Sequence, residues 1–175
     1  MSYIVVDVEA DGPFPESITG YSMVCFGAII VEPSLSKTFY GQTAPISKLW
    51  IPEALAISEI SRKDHESFAD PLETMEKFDK WIKENSVGHP IFISDNLAFD
   101  WQFINFYFQK YLKKNPFGYS GRRLGDLYCG MVMDTRARWK HLRVTSHTHY
   151  PVDDAKGNAE VLLLMQKNGL NIKLT

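Results

Sequence analysis

The order of apolar segments along this chain restricts its fold more than any other feature of the sequence. Three segments rich in β-branched residues come first, separated by turns that contain Gly or Pro, at residues 3–8, 23–31 and about 37–43. Because neighbours in sequence are usually neighbours in space, the three segments predict an antiparallel β-meander.

The pattern changes after Pro52, where apolar residues at helical spacing alternate with a short apolar run. This alternation predicts helices at 53–60, 71–85, 98–114, 126–139 and 153–167, a strand at 90–94 and a loop over 115–123. No internal repeat or linker divides the sequence. We therefore expect one α/β domain over residues 1–175.

Composition excludes several classes of protein. The chain has 175 residues, of which 45% are hydrophobic, too many for a disordered chain and enough for one buried core. Its longest apolar run, 23–31, is far shorter than the roughly 20 residues of a membrane span. The N-terminal sequence lacks the features of a signal peptide. A membrane or secreted protein is therefore not expected.

Cysteine usage and charge bear on the cellular setting and on partners. Cys25 and Cys129 lie far apart, without Cys or His at the spacing of zinc ligands, which favours buried thiols in a reducing cytoplasm. The formal net charge of -2 argues against a protein that coats nucleic acid with a wide basic face. Contact with a few phosphates is compatible with this charge.

Two carboxylates stand near the end of the first predicted strand. Asp7 and Glu9 are two residues apart, so the alternation of strand side chains places both on one face. Burying two like charges side by side is unfavourable unless a cation lies between them or the strand end is open to water. The segment alone is compatible with two solvated acids or with a site for a hard divalent metal.

Further polar candidates occur where helices begin. Asp100 lies in the first turn of the helix after the fourth strand, where it can interact with the helix dipole or serve a ligand site. Asp153 and Asp154 open the last predicted helix, and capping needs only one of them, for which Asp153 is well placed. His149 precedes Asp154 by five residues, but His141 and His147 are close by, and a solvated loop histidine is the simpler interpretation of each.

The combined spacing is more specific than any one of these residues. It reads Asp7-x-Glu9, then Asn96-x-x-x-Asp100, then His149-x-x-x-x-Asp154. In this order the sequence resembles the DEDD superfamily of 3'-to-5' exonucleases, in the DnaQ-like, histidine-containing DEDDh branch that includes proofreading exonucleases, RNase T and oligoribonuclease. One departure is Pro151, which stands where the family's third motif usually has Ala. The resemblance implies a ribonuclease H-like α/β fold, with a five-stranded mixed sheet flanked by helices.

The resemblance also implies a reaction. It predicts a metal-dependent 3'-to-5' exonuclease that releases 5'-mononucleotides from 3' ends of single-stranded RNA or DNA, or from short oligonucleotides. Two Mg²⁺ or Mn²⁺ ions are expected, because oxygen ligands prefer hard cations. The implied metal ligands are Asp7, Glu9, Asp100 and Asp154. The implied general base is His149, which takes a proton from the attacking water. If the segment is extended, His147 lies about 7 Å away along the chain.

Other interpretations remain open at this point. One is a catalytically silent nucleic-acid-binding or partner-docking domain of the same fold, and another is an unrelated metal-dependent phosphatase. Small stand-alone members of the resembled family are often homodimers. The aromatic residues of 98–114 exceed what one helix face needs, which also favours a homodimer.

Contacts with substrate are less specific in the sequence. Phe14, Tyr21 and Met23 lie in or just after the loop that follows the first motif, where they can stack on terminal bases, and Asn96 is a further candidate for substrate contact. Basic residues at 122–123 and 136–143 suit contact with a nucleic-acid backbone. A solvated surface explains those basic residues equally well.

Overall fold

A computed structural model describes residues 1–174 and contains one five-stranded mixed sheet. Its strands are β1 (Tyr3–Ala10), β2 (Met23–Ile30), β3 (Thr38–Gln42), β4 (Ile91–Ser94) and β5 (Gly121–Arg123). The spatial order is β3-β2-β1-β4-β5. The first three strands pair antiparallel, as the meander predicted, whereas β1, β4 and β5 pair parallel. The carboxyl ends of β1, β4 and β5 therefore meet at one edge of the sheet.

Helices cover both faces of this sheet. They are α1 (Pro52–Ile57), α2 (Arg62–Glu66), α3 (Pro71–Asn85), α4 (Leu97–Tyr107), α5 (Leu124–Val132) and α6 (Pro151–Lys167). A π-helical turn, Phe108–Leu112, extends α4, and a 3-10 turn spans Lys140–Leu142. Among residues 1–174, no helix is both long and apolar enough to cross a membrane.

Alternation along β1 divides the core into two layers. Ile4, Val6 and Val8 face α3 and α4 in the larger buried cluster. Tyr3 and Val5 point the other way, into the cluster that α5 and α6 complete. Asp7 and Glu9 follow in the same alternation, so they project from the face that α6 covers.

Several predicted boundaries were wrong. The segment 115–123, expected as a loop, contains β5, a strand too short to show a periodic pattern. The helix expected over 126–139 ends at Val132, and Met133 adopts a left-handed conformation with φ 55°. The chain turns back there, which lets the side chain of Trp139 pack into the second core cluster. The five-residue helix α2 was also missed, for the same reason as β5.

The aromatic residues between 97 and 112 are used inside the chain. Phe103, Tyr107 and Phe108 are fully buried, and the other aromatic side chains of this segment pack against the same cluster. None of them is among the large exposed apolar side chains of residues 1–174. The aromatic surplus on which the homodimer expectation rested is therefore absent, and the homodimer stays a prediction from the resemblance alone.

Candidate active site

The first strand delivers two carboxylates to the edge where the parallel strands end. Asp7 pairs in register with Gly27 of β2. A Cβ on Gly27 would lie 2.3 Å from the carbonyl carbon of Pro151, which no real contact allows. The lack of a side chain at Gly27 thus lets the first turn of α6 approach the sheet beside Asp7.

That first turn carries the third carboxylate. The helix begins at Pro151, with Tyr150 as N-cap, so Asp153 does not cap it as expected and Asp154 faces inward. Proline suits this first helical position because it has no N–H to leave unpaired. One ligand oxygen each from Asp7, Glu9 and Asp154 lie within 4.8 Å of one another.

Asp154 is fully buried and accepts hydrogen bonds from several groups. Nη2 of Arg143 donates at 2.9 Å, and Nδ1 of His147 lies 2.8 Å from the same carboxylate oxygen. The backbone N–H groups of Thr148 and His149 donate at 3.1 and 2.9 Å. The loop before α6 is therefore tied to the carboxylate that α6 presents.

Asp100 reaches the same edge from the opposite face of the sheet. It lies buried in the first turn of α4, and its Oδ1 accepts the backbone N–H of Val8 at 3.1 Å. This bond fixes α4 against β1 between Asp7 and Glu9. The structure thus places all four sequence-predicted acids at the carboxyl ends of β1 and β4.

Burial and mutual repulsion raise the pKa values of these acids. Burial raises the pKa of Asp7 well above its ordinary value, and the charges of Asp100, Asp154 and Glu9 raise it further. Burial, followed by the charge of Asp154, raises the pKa of Glu9 to about 7. Burial likewise raises the pKa of Asp100 to about 8. A bound cation would relieve this repulsion, and oxygen-only donors suit Mg²⁺ or Mn²⁺, so the residues present fit the expected ions.

Both neighbouring histidines reach the carboxylates. Nδ1 of His149 lies 3.5 Å from Oε1 of Glu9, and the His149 side chain is about half exposed. His149 has a left-handed backbone with φ 60°, so the segment is not extended. The rings of His147 and His149 lie 4.3 Å apart, and the extended geometry considered for this segment does not apply.

The predicted base contacts divide into two groups. Phe14 is 45% exposed and meets the ring of Tyr21 edge-on at 5.5 Å, in a loop that Gln102 of α4 ties down by donating to the carbonyl of Pro13. Asn96 is exposed at the start of α4, and its side chain makes no capping bond.

Met23 does not reach a surface open to substrate. Its side chain is fully buried in the core, and its backbone N–H donates to the hydroxyl of Tyr107 at 2.8 Å. The stacking role predicted for Met23 is therefore wrong, because all of β2 is buried and a register shift opposite Glu9 and Ala10 places this side chain in the larger cluster.

Sequence reasoning did not identify Arg143 or His147 as partners of Asp154. Arg143 appeared only as one member of a basic stretch, and no helical or strand spacing relates it to a residue eleven positions later. Its guanidinium packs over Gly157, where a Cβ would lie 2.6 Å from its nitrogens. Gly157, one turn after Asp154, is the one sequence feature tied to this contact, but a glycine alone does not identify the side chain that packs over it.

Comparison with known proteins gives a consistent result. No protein-family model matches the sequence. The 3'-5' DNA exonuclease Cap18 of Escherichia coli is 35% identical over 181 residues, which span 94% of this chain and 91% of that protein.

Solved structures with the same fold are far more distant in sequence. The nuclease domain of 3'hExo, a DEDDh family member bound to rAMP, superimposes with a TM-score of 0.78 at 15% identity, over 99% of this chain and 96% of that one. Escherichia coli Exonuclease I, in complex with a dT13 oligonucleotide, gives a TM-score of 0.71 at 15% identity, over 94% of this chain and 41% of that one. The ribonuclease H-like fold that the resemblance implied is thereby confirmed.

Proposed function

This chain belongs to the DEDDh family of 3'-to-5' exonucleases, and we propose that it removes 5'-mononucleotides from the 3' ends of DNA with two divalent ions. The observation that carries the proposal is the convergence of Asp7, Glu9 and Asp154 within 4.8 Å, with buried Asp100 bonded to the same strand. A DNA substrate is proposed from the name of the Escherichia coli relative.

Four carboxylates would hold Mg²⁺ or Mn²⁺. Such ions, when bound, lower the pKa of a water and offset the charge of the phosphate under attack. Asp7, Glu9 and Asp154 form the shared oxygen cluster, and Asp100 completes the set from the α4 side. Arg143 and His147 hold the Asp154 carboxylate in place by direct contact.

His149 is proposed as the general base. Its Nδ1 faces Glu9, so Nε2 is the atom left to accept a proton from the attacking water. Its half-exposed ring, on a loop at the rim of the cluster, can reach a substrate that enters from solvent. The contact between Nδ1 of His149 and Oε1 of Glu9 keeps the imidazole oriented.

The terminal base is proposed to stack beside Phe14 and Tyr21. The loop that carries both rings begins directly after β1, so it lies next to the carboxylate cluster. Asn96, exposed at the start of α4, is proposed as a polar contact to the same nucleotide.

The test uses 5'-labelled single-stranded DNA and RNA of equal length, incubated with Mg²⁺ or Mn²⁺. We expect DNA to shorten from its 3' end one nucleotide at a time, and excess EDTA to stop the reaction. Asp7→Asn protein provides the control for a contaminating nuclease. Intact DNA in every metal would instead support the catalytically silent binding domain, and cleavage of circular single-stranded DNA would contradict an exonuclease.

The remaining expectations are part of the same proposal. A single exonuclease domain over residues 1–175 is supported by one sheet that collects strands from both halves of the chain. A cytoplasmic location is supported by two unpaired cysteines, Cys25 and Cys129. A homodimer is expected from the family, and light scattering after size exclusion tests it.

A further inference from the structure

We propose that a basic cavity beside the carboxylate cluster binds the phosphodiester backbone of the DNA strand on the 5' side of the nucleotide being removed. The cavity has a volume of about 680 Å³ and lies between the start of α5 and the segment 135–140. This inference rests on the proposed exonuclease function, because it assigns the path of the same substrate.

The sheet places this cavity next to the active site. Asp95 and Asn96, which follow β4, line it together with Arg123, the last residue of β5. Ile93 of β4 pairs with Val5 of β1 on one side and with Arg122 of β5 on the other, and neighbouring strands lie about 4.8 Å apart. The backbone of Arg123 is therefore about 10 Å from that of Val6, next to Asp7. Successive phosphates of a stacked strand advance about 3.4 Å. The cavity is thus within reach of the phosphates about three nucleotides from the 3' end.

The charges that line the cavity suit a polyanion. Four cationic side chains face two carboxylates: Arg123, Arg136, Arg138 and Lys140 against Asp95 and Asp126. Both carboxylates are already paired, since Lys140 lies 2.8 Å from Asp95 and Arg123 lies 3.2 Å from Asp126.

Two arginines are left for a ligand. The side chain of Arg136 is 94% exposed, and its own ion pair with Asp134 is long at 3.9 Å. Arg138 is exposed, and within residues 1–174 it has no carboxylate at ion-pair distance. This local excess of positive charge contrasts with the net charge of -2 for the whole chain. Arginine is well suited to binding phosphate because one guanidinium can donate two parallel hydrogen bonds to two phosphate oxygens.

A buried tryptophan holds the segment that carries these exposed side chains. Trp139, only 4% exposed, lies between Arg138 and Lys140 and anchors the segment in the core. Its indole rests against Gly125 in the first turn of α5, where a Cβ would lie 3.1 Å from the indole nitrogen. Gly125 and Asp126, in the first turn of that nine-residue helix, also line the cavity, and the first turn of a helix is a favourable position for a phosphate.

The chain offers a matched control one residue away from this cavity. Arg122 precedes Arg123 on β5, but it lines a different cavity with Met1, His89 and Pro90. Met1 and Pro90 lie within two residues of the first residues of β1 and β4, so this second cavity lies at the amino ends of the strands. Arg122→Gln changes the net charge as much as Arg136→Gln or Arg138→Gln alone, without touching the proposed path.

The test compares the double variant Arg136→Gln/Arg138→Gln with the pair of single variants and with Arg122→Gln. Binding of 5'-fluorescein-labelled dT12 is followed by anisotropy over a range of KCl concentrations, with Asp7→Asn added to each protein to prevent hydrolysis. We expect the double variant to bind about fivefold more weakly or worse. Its slope of log K against log salt should fall by about 1.4, since each single-strand phosphate contact contributes about 0.7. Arg122→Gln should stay within twofold of the parent.

A kinetic measurement separates the assignment of the cavity from the proposed exonuclease function. The kinetic proteins keep Asp7. With the wild type, KM for dT12 should be lower than KM for a dinucleotide. In the double variant, the difference between these two KM values should be smaller. Wild-type protein that degrades dT12 while the double variant keeps the parent affinity and salt slope would overturn the cavity assignment alone. Wild-type protein that hydrolyses neither substrate would overturn the proposed function. Circular dichroism spectra that match the parent show that the variants are folded.

Discussion

The guanidinium of Arg143 lies 2.9 Å from Oδ1 of Asp154, and both side chains are almost completely shielded from solvent. Asp154 belongs to the oxygen cluster proposed to hold metal, so this carboxylate has a cationic partner even without an ion. The same guanidinium lowers the pKa of Asp7, against the neighbouring acids that raise it. Arg143 is therefore a positioning residue that keeps the cluster assembled before metal binds.

Replacing this arginine should destabilise the metal-free protein. In Arg143→Gln the buried Asp154 loses its ionic partner, and removal of one member of a buried ion pair costs about 3 kcal/mol. We expect a lower Tm in EDTA and a larger rise in Tm on adding Mn²⁺ than the wild type shows. Differential scanning calorimetry with and without Mn²⁺ measures both. Equal Tm values for the two proteins in EDTA would contradict the positioning role.

Gly27 is expected to be essential for the approach of α6 to the sheet. In Gly27→Ala the new methyl group would meet the Pro151 backbone at 2.3 Å, so α6 must shift and carry Asp154 away from Asp7. We predict a lower Tm and a fall in kcat of roughly 10²-fold, because small displacements of reacting groups have effects of that size.

Gly130→Ala is the matched control for this substitution. Gly130 is an exposed residue of α5, and a Cβ at this position would have no other atom within 4 Å. Alanine is favoured over glycine in helices by about 1 kcal/mol, so Tm should stay constant or rise. A Gly27→Ala protein as stable and active as Gly130→Ala would show that α6 does not need this close approach.

The parts of the fold that could be predicted are those with long apolar patterns. β1 to β3, α3, α4 and most of α6 follow such patterns, and β4 was predicted from a short apolar run bounded by Pro90 and polar residues. The paired acids at Asp7 and Glu9 were visible because β1 fixes their alternation. β5 and α2 are too short to have a period. Pairing with Phe92–Ser94 of β4 is what makes a strand of Gly121–Arg123.

Predictions about the site failed where they depended on loop conformation. The left-handed residue His149 folds its segment so that the rings of His147 and His149 meet, and nothing in the sequence requires that conformation. Arg143 reaches Asp154 through an irregular loop, a contact that depends on tertiary packing. The buried position of Met23 was missed because a residue at a strand start can equally belong to the preceding loop.

Asp7→Asn should abolish hydrolysis without unfolding the protein. The negative charges of Asp100, Asp154 and Glu9 repel that of Asp7. An uncharged amide at position 7 therefore reduces the repulsion in the metal-free cluster. We expect the variant to have an equal or higher Tm in EDTA and to lose its activity, because a ligand oxygen of the cluster is removed. Thermal denaturation in EDTA and hydrolysis of thymidine 5'-p-nitrophenyl phosphate provide the two readouts. Full hydrolysis by this variant would overturn the two-metal mechanism.

The metal-free protein should lose stability as pH rises. Folding raises the pKa of Glu9 from 4.5 to about 7 and that of Asp100 from 3.8 to about 8. Between about pH 4.5 and pH 8 the folded state therefore binds more protons than the unfolded state, so the free energy of unfolding falls with pH. Chemical denaturation in EDTA across this range should show the decline, and saturating Mn²⁺ should flatten it. Glu9→Gln serves as the control, since it lacks one of the responsible groups and should show a shallower decline.

The last prediction distinguishes the two histidines at the cluster. His149→Ala should lower kcat by roughly 10²-fold, the effect of losing a general base, while the Mn²⁺ concentration for half-maximal activity changes little. His147 contacts Asp154 at 2.8 Å, so His147→Ala should instead raise the Mn²⁺ requirement, with a smaller loss of kcat at saturating metal. His141→Ala, on the 3-10 turn outside the cluster, provides the background for both. Steady-state rates of the three variants over a Mn²⁺ titration separate these effects. A near-wild-type kcat for His149→Ala beside a strongly reduced kcat for His147→Ala would assign the base to His147, because its ring occupies the alternative position at the same carboxylates.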